Sequence, residues 1–354
     1  MIRILDWYIA RTLLSTITTT LSVLVGLSAL IKFVEQLRKI GEGDYDMTVA
    51  ALYVLLSLPR DIEQFFPMAT LLGALIGMGV LASNSELVVM QASGLSRWNI
   101  ISSAMKSTIL MIIAVMAIGE FVTPVSEAKA KQIRTEAISG GALFRSDQLV
   151  WAKDGDDFVS IGQVINRDTL RNVTVYRFND SRLLEQTVYA KQANYQNDQG
   201  WRLDSVTVTT FGLDKIDVTD LSSVEWQSTL SPDKLGVVAV KPEALSVRGL
   251  SDYVNYLINN GQDSSRYELA YWRKLFQPVS VAVMLLMALS FIFGPLRSVS
   301  MGARVIMGVL TGFGFFIANE VFGPLSLVYQ LPPALGALIP SLVFAGIAGV
   351  LLKR

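Results

Sequence analysis

Apolar residues follow two rhythms along this chain. In its first and last parts they form long runs: Thr12–Ile31, Phe65–Ser85 and Leu275–Leu296 hold about 20, 21 and 22 residues without a charge, against the ~20 needed to span a bilayer. Asn99–Val122 joins them, with Lys106 and Glu120 near its ends, as do Ala303–Leu325, with Glu320 late in the run, and Ala334–Leu352. Six membrane-spanning helices are predicted. From about Asp147 to Thr229 the rhythm changes to strict alternation, as in Asn172-Val173-Thr174-Val175-Tyr176 and Trp201-Arg202-Leu203-Asp204-Ser205-Val206. Period-two runs rich in Val, Thr, Tyr and Trp read as antiparallel strands, with turns predicted at Asn179-Asp180-Ser181 and Asn197-Asp198-Gln199-Gly200. The predicted fold class is an α-helical membrane protein with six transmembrane helices and an inserted all-β domain, a sandwich, jellyroll or small barrel. The units run 1–125 (helices 1–3), 126–265 (β-domain with helical flanks Ser126–Glu136 and Leu250–Asn260) and 266–354 (helices 4–6).

Flanking charge predicts the orientation. Arg3, Arg11, Arg97, Lys106, Arg297, Arg304, Lys353 and Arg354 share one side, so N-in, C-in topology is expected, with the β-domain outside. Met1–Arg11 is amphipathic with Trp7 and Tyr8 as an interfacial belt, and reads as part of a retained signal-anchor helix. Hydrophobic residues make up 51% of the chain and charged ones 17%, with mean hydropathy +0.44, as befits a membrane protein. Zero net charge gives no reason to expect a nucleic-acid partner. The absence of Cys and His removes disulfides, thiol nucleophiles, Ser-His-Asp triads and the commonest zinc ligands.

Most motifs fail on context. Gly77-Met78-Gly79-Val80-Leu81-Ala82 fits a dinucleotide fingerprint but lies inside a span with no preceding strand. With Gly73-x-x-x-Gly77 and Gly308-x-x-x-Gly312 it reads instead as small residues at helix interfaces, within this chain or against a partner. No P-loop occurs, so any ATP hydrolysis would belong to another polypeptide.

Two features carry chemistry. Lys32, Arg38 and Lys39 end the first span on the side where basic flanks are otherwise avoided, and an anionic lipid headgroup would explain them. Simple snorkelling is the alternative. Ser83-Asn84-Ser85-Glu86 reads as a capping box opening a short apolar helix that ends at Gly94, a docking surface in the loop after the second span. Leu24, Leu27, Ile31, Phe313, Phe316 and Ile317 are candidates for an acyl-chain cavity, and Glu320 for an intramembrane charge partner.

Ser85–Gly94, Leu230–Val238 and Phe291–Ser298 together resemble the lipopolysaccharide-export ABC transporter permease family (LptF/LptG), nearer its G-type than its F-type subunit. The resemblance implies a non-catalytic subunit of an inner-membrane transporter in a Gram-negative bacterium. Implied partners are a homodimeric cytoplasmic ABC ATPase that uses ATP and Mg, a paralogous F-type six-helix permease, a periplasmic jellyroll bridge and lipopolysaccharide itself. No cofactor is expected on this chain. The resemblance further implies ATPase coupling through 83–94, with Glu86, Leu87, Met90 and Gln91, and lipid-phosphate binding by Lys32, Arg38, Lys39 and Arg134. A membrane-anchored scaffold and a lipoprotein-releasing permease are the other readings. The latter class resembles four-span proteins, against the six spans here, and a scaffold needs no docking helix.

Overall fold

A computed structural model describes residues 4–139, 150–166, 168–179, 181–196, 200–212, 215–228, 230, 242–294 and 299–353. Among the predicted features, turn residues 180 and 197–199, motif residues 231–238 and 295–298, and the charges at 3, 297 and 354 lie outside the described residues.

Among the described residues, six helices are long and apolar enough to cross a membrane. In chain order they are α1 (Ile4–Leu37), α2 (Met47–Ser83), α4 (Arg97–Ala117) with its continuation, and, after the β-domain, α7 (Ser265–Phe293), α8 (Met301–Val328) and α9 (Pro333–Lys353). Between α2 and α4 lies α3 (Glu86–Ala92). The helices overrun the apolar stretches that announce them. At 1.5 Å per residue the 37 residues of α2 reach about 56 Å, well past a ~30 Å hydrocarbon layer. Its polar start is fixed by Asp46, whose carboxylate accepts from the Val49 N–H at 2.8 Å.

Glycines let the bundle close. A Cβ at Gly73 would lie 2.5 Å from the Ile17 Cα, and one at Gly77 2.6 Å from the Thr16 hydroxyl, so α1 meets α2 backbone to backbone. Gly308 and Gly312 of α8 make room instead for side chains of α2, those of Leu75 and Met68. Both small-residue motifs therefore serve this chain's own packing. The interior draws on Leu13 and Ile17 of α1, with Leu71, Leu75 and Met78 of α2, Ile100 of α4 and Met284, Leu285 and Leu289 of α7.

The third span does not stop at the membrane. A π-helical turn, Ile118–Val122, joins α4 to α5 (Thr123–Ser139), one continuous rod leading to the β-domain. There six strands among the described residues form one antiparallel sheet in sequential order: β1 (Val150–Asp154), β2 (Asp157–Asn166), β3 (Thr169–Phe178), β4 (Leu184–Gln196), β5 (Gly200–Phe211) and β6 (Ile216–Trp226). This is a meander, and no Greek-key crossing occurs among the described strands. Alternate residues, among them Ile161, Val173, Val175, Ala190 and Leu203, form one buried face under α6 (Val247–Asn259), which contributes Tyr253, Tyr256 and Leu257. Burial there pushes the Tyr256 hydroxyl up to about 12, with Asp154 adding repulsion. The helix is capped at both ends, by the Ser246 hydroxyl accepting from Gly249 N–H and by Gly261 at φ +61.

Candidate functional site

Where the helices meet the β-domain, a cavity of about 720 Å³ opens between α1, α2, α7 and α8. Lys32, Arg60, Arg266, Arg273 and Lys274 line it, with Glu63, Glu243 and Glu320 opposing them. Phe316, Pro67 and Ala337 supply apolar wall. Charge is thus gathered where the apolar runs end.

A short stretch in the first half of α2 organises this charge. Pro59-Arg60-Asp61-Ile62-Glu63 turns successive side chains toward different neighbours. Arg60 reaches Glu127 of α5 at 3.6 Å and Glu243, at the exit of the β-domain, at 3.8 Å. Asp61, 2% exposed, takes the Lys32 ammonium at 2.6 Å and the Ser28 hydroxyl at 3.0 Å, both from α1. Glu63 pairs with Lys274 of α7 at 3.0 Å. That ammonium also donates to the Gly119 carbonyl in the π-helical turn, at 3.1 Å. Pro67 cannot bond the Glu63 carbonyl four residues back, and Gln277 Nε2 donates to that oxygen at 2.9 Å instead. Glu120 of the same π-turn accepts from the first backbone N–H of α6, that of Val247, at 2.7 Å, a carboxylate at a helix N-terminus.

The expected phosphate ligands do not converge. Lys32 lines the cavity, already paired with Asp61. Arg134 lies over the Tyr53 ring at 5.3 Å, Arg38 is exposed beyond the end of α1, and Lys39 is half-buried in the turn that follows. Of the expected acyl-chain residues Phe316 lines the cavity, while Leu27, Ile31, Phe313 and Ile317 are exposed on the outer flanks of α1 and α8, and Leu24 is half-buried. Glu320 faces the cavity and forms no ion pair among the described residues. Arg60, Asp61, Glu63, Arg273 and Lys274 are not among the residues that the sequence marks out. Their signal was opposite charge at the same edge of two spans, just before Phe65 and Leu275.

At the other end of the bundle α3 departs from its expected form. Ser83 is the last residue of α2 and its hydroxyl turns back to the Val80 carbonyl at 2.9 Å, so the capping box does not form. Ser85 precedes α3 in left-handed conformation without a side-chain cap. The far end matches expectation: Gly94 at φ +94 sends its N–H to Gln91, and Leu95 bonds Met90, a Schellman pattern. Leu87 and Met90 point into the bundle core, leaving Val88 and Val89 outward with Trp98 nearby in sequence and exposed, and Gln91 half-buried. An external contact would therefore use the Val88–Val89 face. Glu86 is braced by the Tyr8 hydroxyl at 2.8 Å.

A six-helix membrane protein that keeps a charged cavity open at one edge, and an apolar loop helix at the other, has the form of a transporter's membrane subunit. Residues 7–354 match the family model for the lipopolysaccharide export system permease LptF/LptG, and the chain belongs to that family. It is 50% identical over 353 residues to the lipopolysaccharide export system permease protein LptG of Escherichia coli K12, covering 99% of this chain and 98% of that one. To the protein of that name in Haemophilus influenzae it is 47% identical over 355 residues, 100% of this chain and 99% of the other. Within the family it is thus of the G type.

Proposed function

We propose that this chain is the G-type half of a permease that lifts lipopolysaccharide from the outer leaflet of the inner membrane toward a periplasmic bridge. The cavity carries the reading: cations stand at the level where apolar helix faces give way to polar ones, the level of a phosphorylated headgroup. Acyl chains would lie along the exposed flanks of α1 and α8, closed by an F-type partner. Each cation near an anionic lipid surface is worth roughly 1 kcal/mol, enough to favour capture without preventing release. The β-domain faces the periplasm in this reading, the chain termini the cytoplasm. ATP and Mg belong to a cytoplasmic ATPase that docks on Val88 and Val89 of α3, beside Glu86.

Native mass spectrometry of the gently purified chain tests the reading. The expected assembly holds two ATPase copies, one related six-span protein and a bound lipid with the mass of lipopolysaccharide. A chain that arrives alone, or only with itself, overturns it.

A further inference from the structure

We infer that Asp61 is a built-in competitor of the lipid phosphate at Lys32, set there so that cargo is held weakly enough to leave. The inference rests on the transport reading above. Lys32 faces the cavity with a side chain 28% exposed, whereas Asp61 lies behind it, 2% exposed and outside the cavity lining. The carboxylate cannot drift away, because Ser28 of α1 donates to its other oxygen at 3.0 Å. An ammonium carries three donors and Asp61 takes one at 2.6 Å. An arriving phosphate therefore meets a neutral pair with open N–H groups instead of a bare cation.

The arrangement separates two requirements. The open donors of Lys32 give a phosphate geometry and orientation. The fixed counter-charge removes most of the long-range attraction, which in a low-dielectric site would otherwise make the complex slow to part. Arg60 shows the same economy, reaching Glu127 and Glu243, and Lys274 pairs with Glu63. Among these pairs Lys32–Asp61 is the shortest, and its acid is the most deeply buried. A carboxylate placed to bind cargo would line the cavity. One placed to temper a cation would stand behind it, as Asp61 does.

Asp61→Asn tests this in the membrane complex with which the chain purifies. The complex is loaded with labelled lipopolysaccharide, or with the same lipid stripped of phosphate, and dissociation is followed during a chase with excess unlabelled lipid. Phosphorylated lipid should leave Asp61→Asn roughly tenfold more slowly than wild type, equivalent to about 1.4 kcal/mol, and dephosphorylated lipid at the wild-type rate. Inorganic phosphate in the chase should not release the lipid, which would show that the headgroup is held as part of a lipid; release by inorganic phosphate at wild-type speed overturns the lipid assignment. Equal or faster loss of phosphorylated lipid overturns the inference, as does equal slowing of both lipids, the mark of a packing effect. If Asp61→Asn fails to fold, the double variant Lys32→Gln/Asp61→Asn replaces the pair with neutral groups. It should narrow the difference in rate between the two lipids relative to wild type, and a wild-type ratio between them would overturn the inference. A wild-type complex that retains neither lipid would instead count against the transport reading.

Discussion

Spans of similar hydropathy do different work in this chain. In the most apolar stretch of α2 72% of residues are buried, and in that of α7 56%; for α1 and α8 the figures are 11% and 17%. The four have mean hydropathies between 1.7 and 2.1, so apolarity alone does not sort them. Contact does. α2 and α7 form the pillar, joined by the Glu63–Lys274 pair, while α1 and α8 lean on it through the glycine seams and turn long rows of Leu, Val, Ile and Phe outward. Lipid tails are as apolar as leucine, so burial is not what holds such a bundle together. Close backbone approach and satisfied polar groups are.

That contrast is easiest to break at its most polar point. Glu63 and Lys274 have side chains 11% and 8% exposed and join α2 to α7, with the Gly119 carbonyl as third partner. Either Glu63→Gln or Lys274→Met leaves an uncompensated buried charge and should cost about 3–5 kcal/mol. The double variant should recover much of that, because a neutral pair strands nothing. Thermal unfolding in detergent, run as a double-mutant cycle, gives the coupling. Singles as silent as substitutions on the outer flank would show that the pillar does not depend on its charges.

Glycine positions offer a gentler version of the same test. Gly73→Ala drives a methyl to within 2.5 Å of the Ile17 backbone and should destabilise by about 1–3 kcal/mol, since backbone cannot swing aside. Gly26 on α1 and Gly314 on α8 have nothing within 4 Å. Alanine at either should be neutral or stabilising by up to about 1 kcal/mol, from helix propensity. Matched unfolding midpoints for Gly73→Ala and Gly314→Ala would remove the distinction between seam and flank.

The sequence announced the spans and the strands because both depend on periodicity, a local property. It also placed a C-terminal stop at Gly94, where only a positive φ is needed. The charge network is not local: Arg60, Asp61 and Glu63 flank an apolar run and look like ordinary interfacial residues until α1, α5 and α7 supply their partners. Lys32 stands out in the sequence by its position, yet its counter-ion lies 29 positions away on another helix. The capping box failed for a local reason, since α2 runs on through Ser83 and claims its hydroxyl. Which face of α3 points outward was equally hidden, because Leu87 and Val88 are alike in chemistry and differ only in what the core places beside them.

On the outer flank the expected effect moves from stability to transport. Phe313 is 56% exposed and Leu27 likewise, so Phe313→Ala or Leu27→Ala should shift unfolding by less than about 0.5 kcal/mol. The same changes should lower the lipopolysaccharide retained by the purified complex severalfold, if the acyl chains or the partner lie against these faces. Loss of thermal stability with unchanged lipid would mean that the flanks are core after all.

The smallest effect belongs to the first turn of α2, where the pillar emerges into water. Hydrogen bonds from the Val49 backbone N–H, and then from Thr48, hold the Asp46 carboxyl below the usual carboxylate range. A depressed folded value means that the cap contributes stability above the unfolded pKa of about 3.9 and loses it as pH falls through the lower folded value. Asp46→Asn keeps an equivalent cap without a titrating group. Hydrogen exchange at residues 48–50 should therefore match wild type near pH 7 and become slower than wild type, after correction for intrinsic rates, once the pH is taken below about 4. Because the cap lies far from the Glu63–Lys274 pair along the helix, the change should stay confined to that turn, leaving exchange in the buried middle of α2 unaltered. Spread of the effect into residues 66–78 would show that the pillar is assembled from its exposed end, and not from the seam that holds α1 and α8 to it.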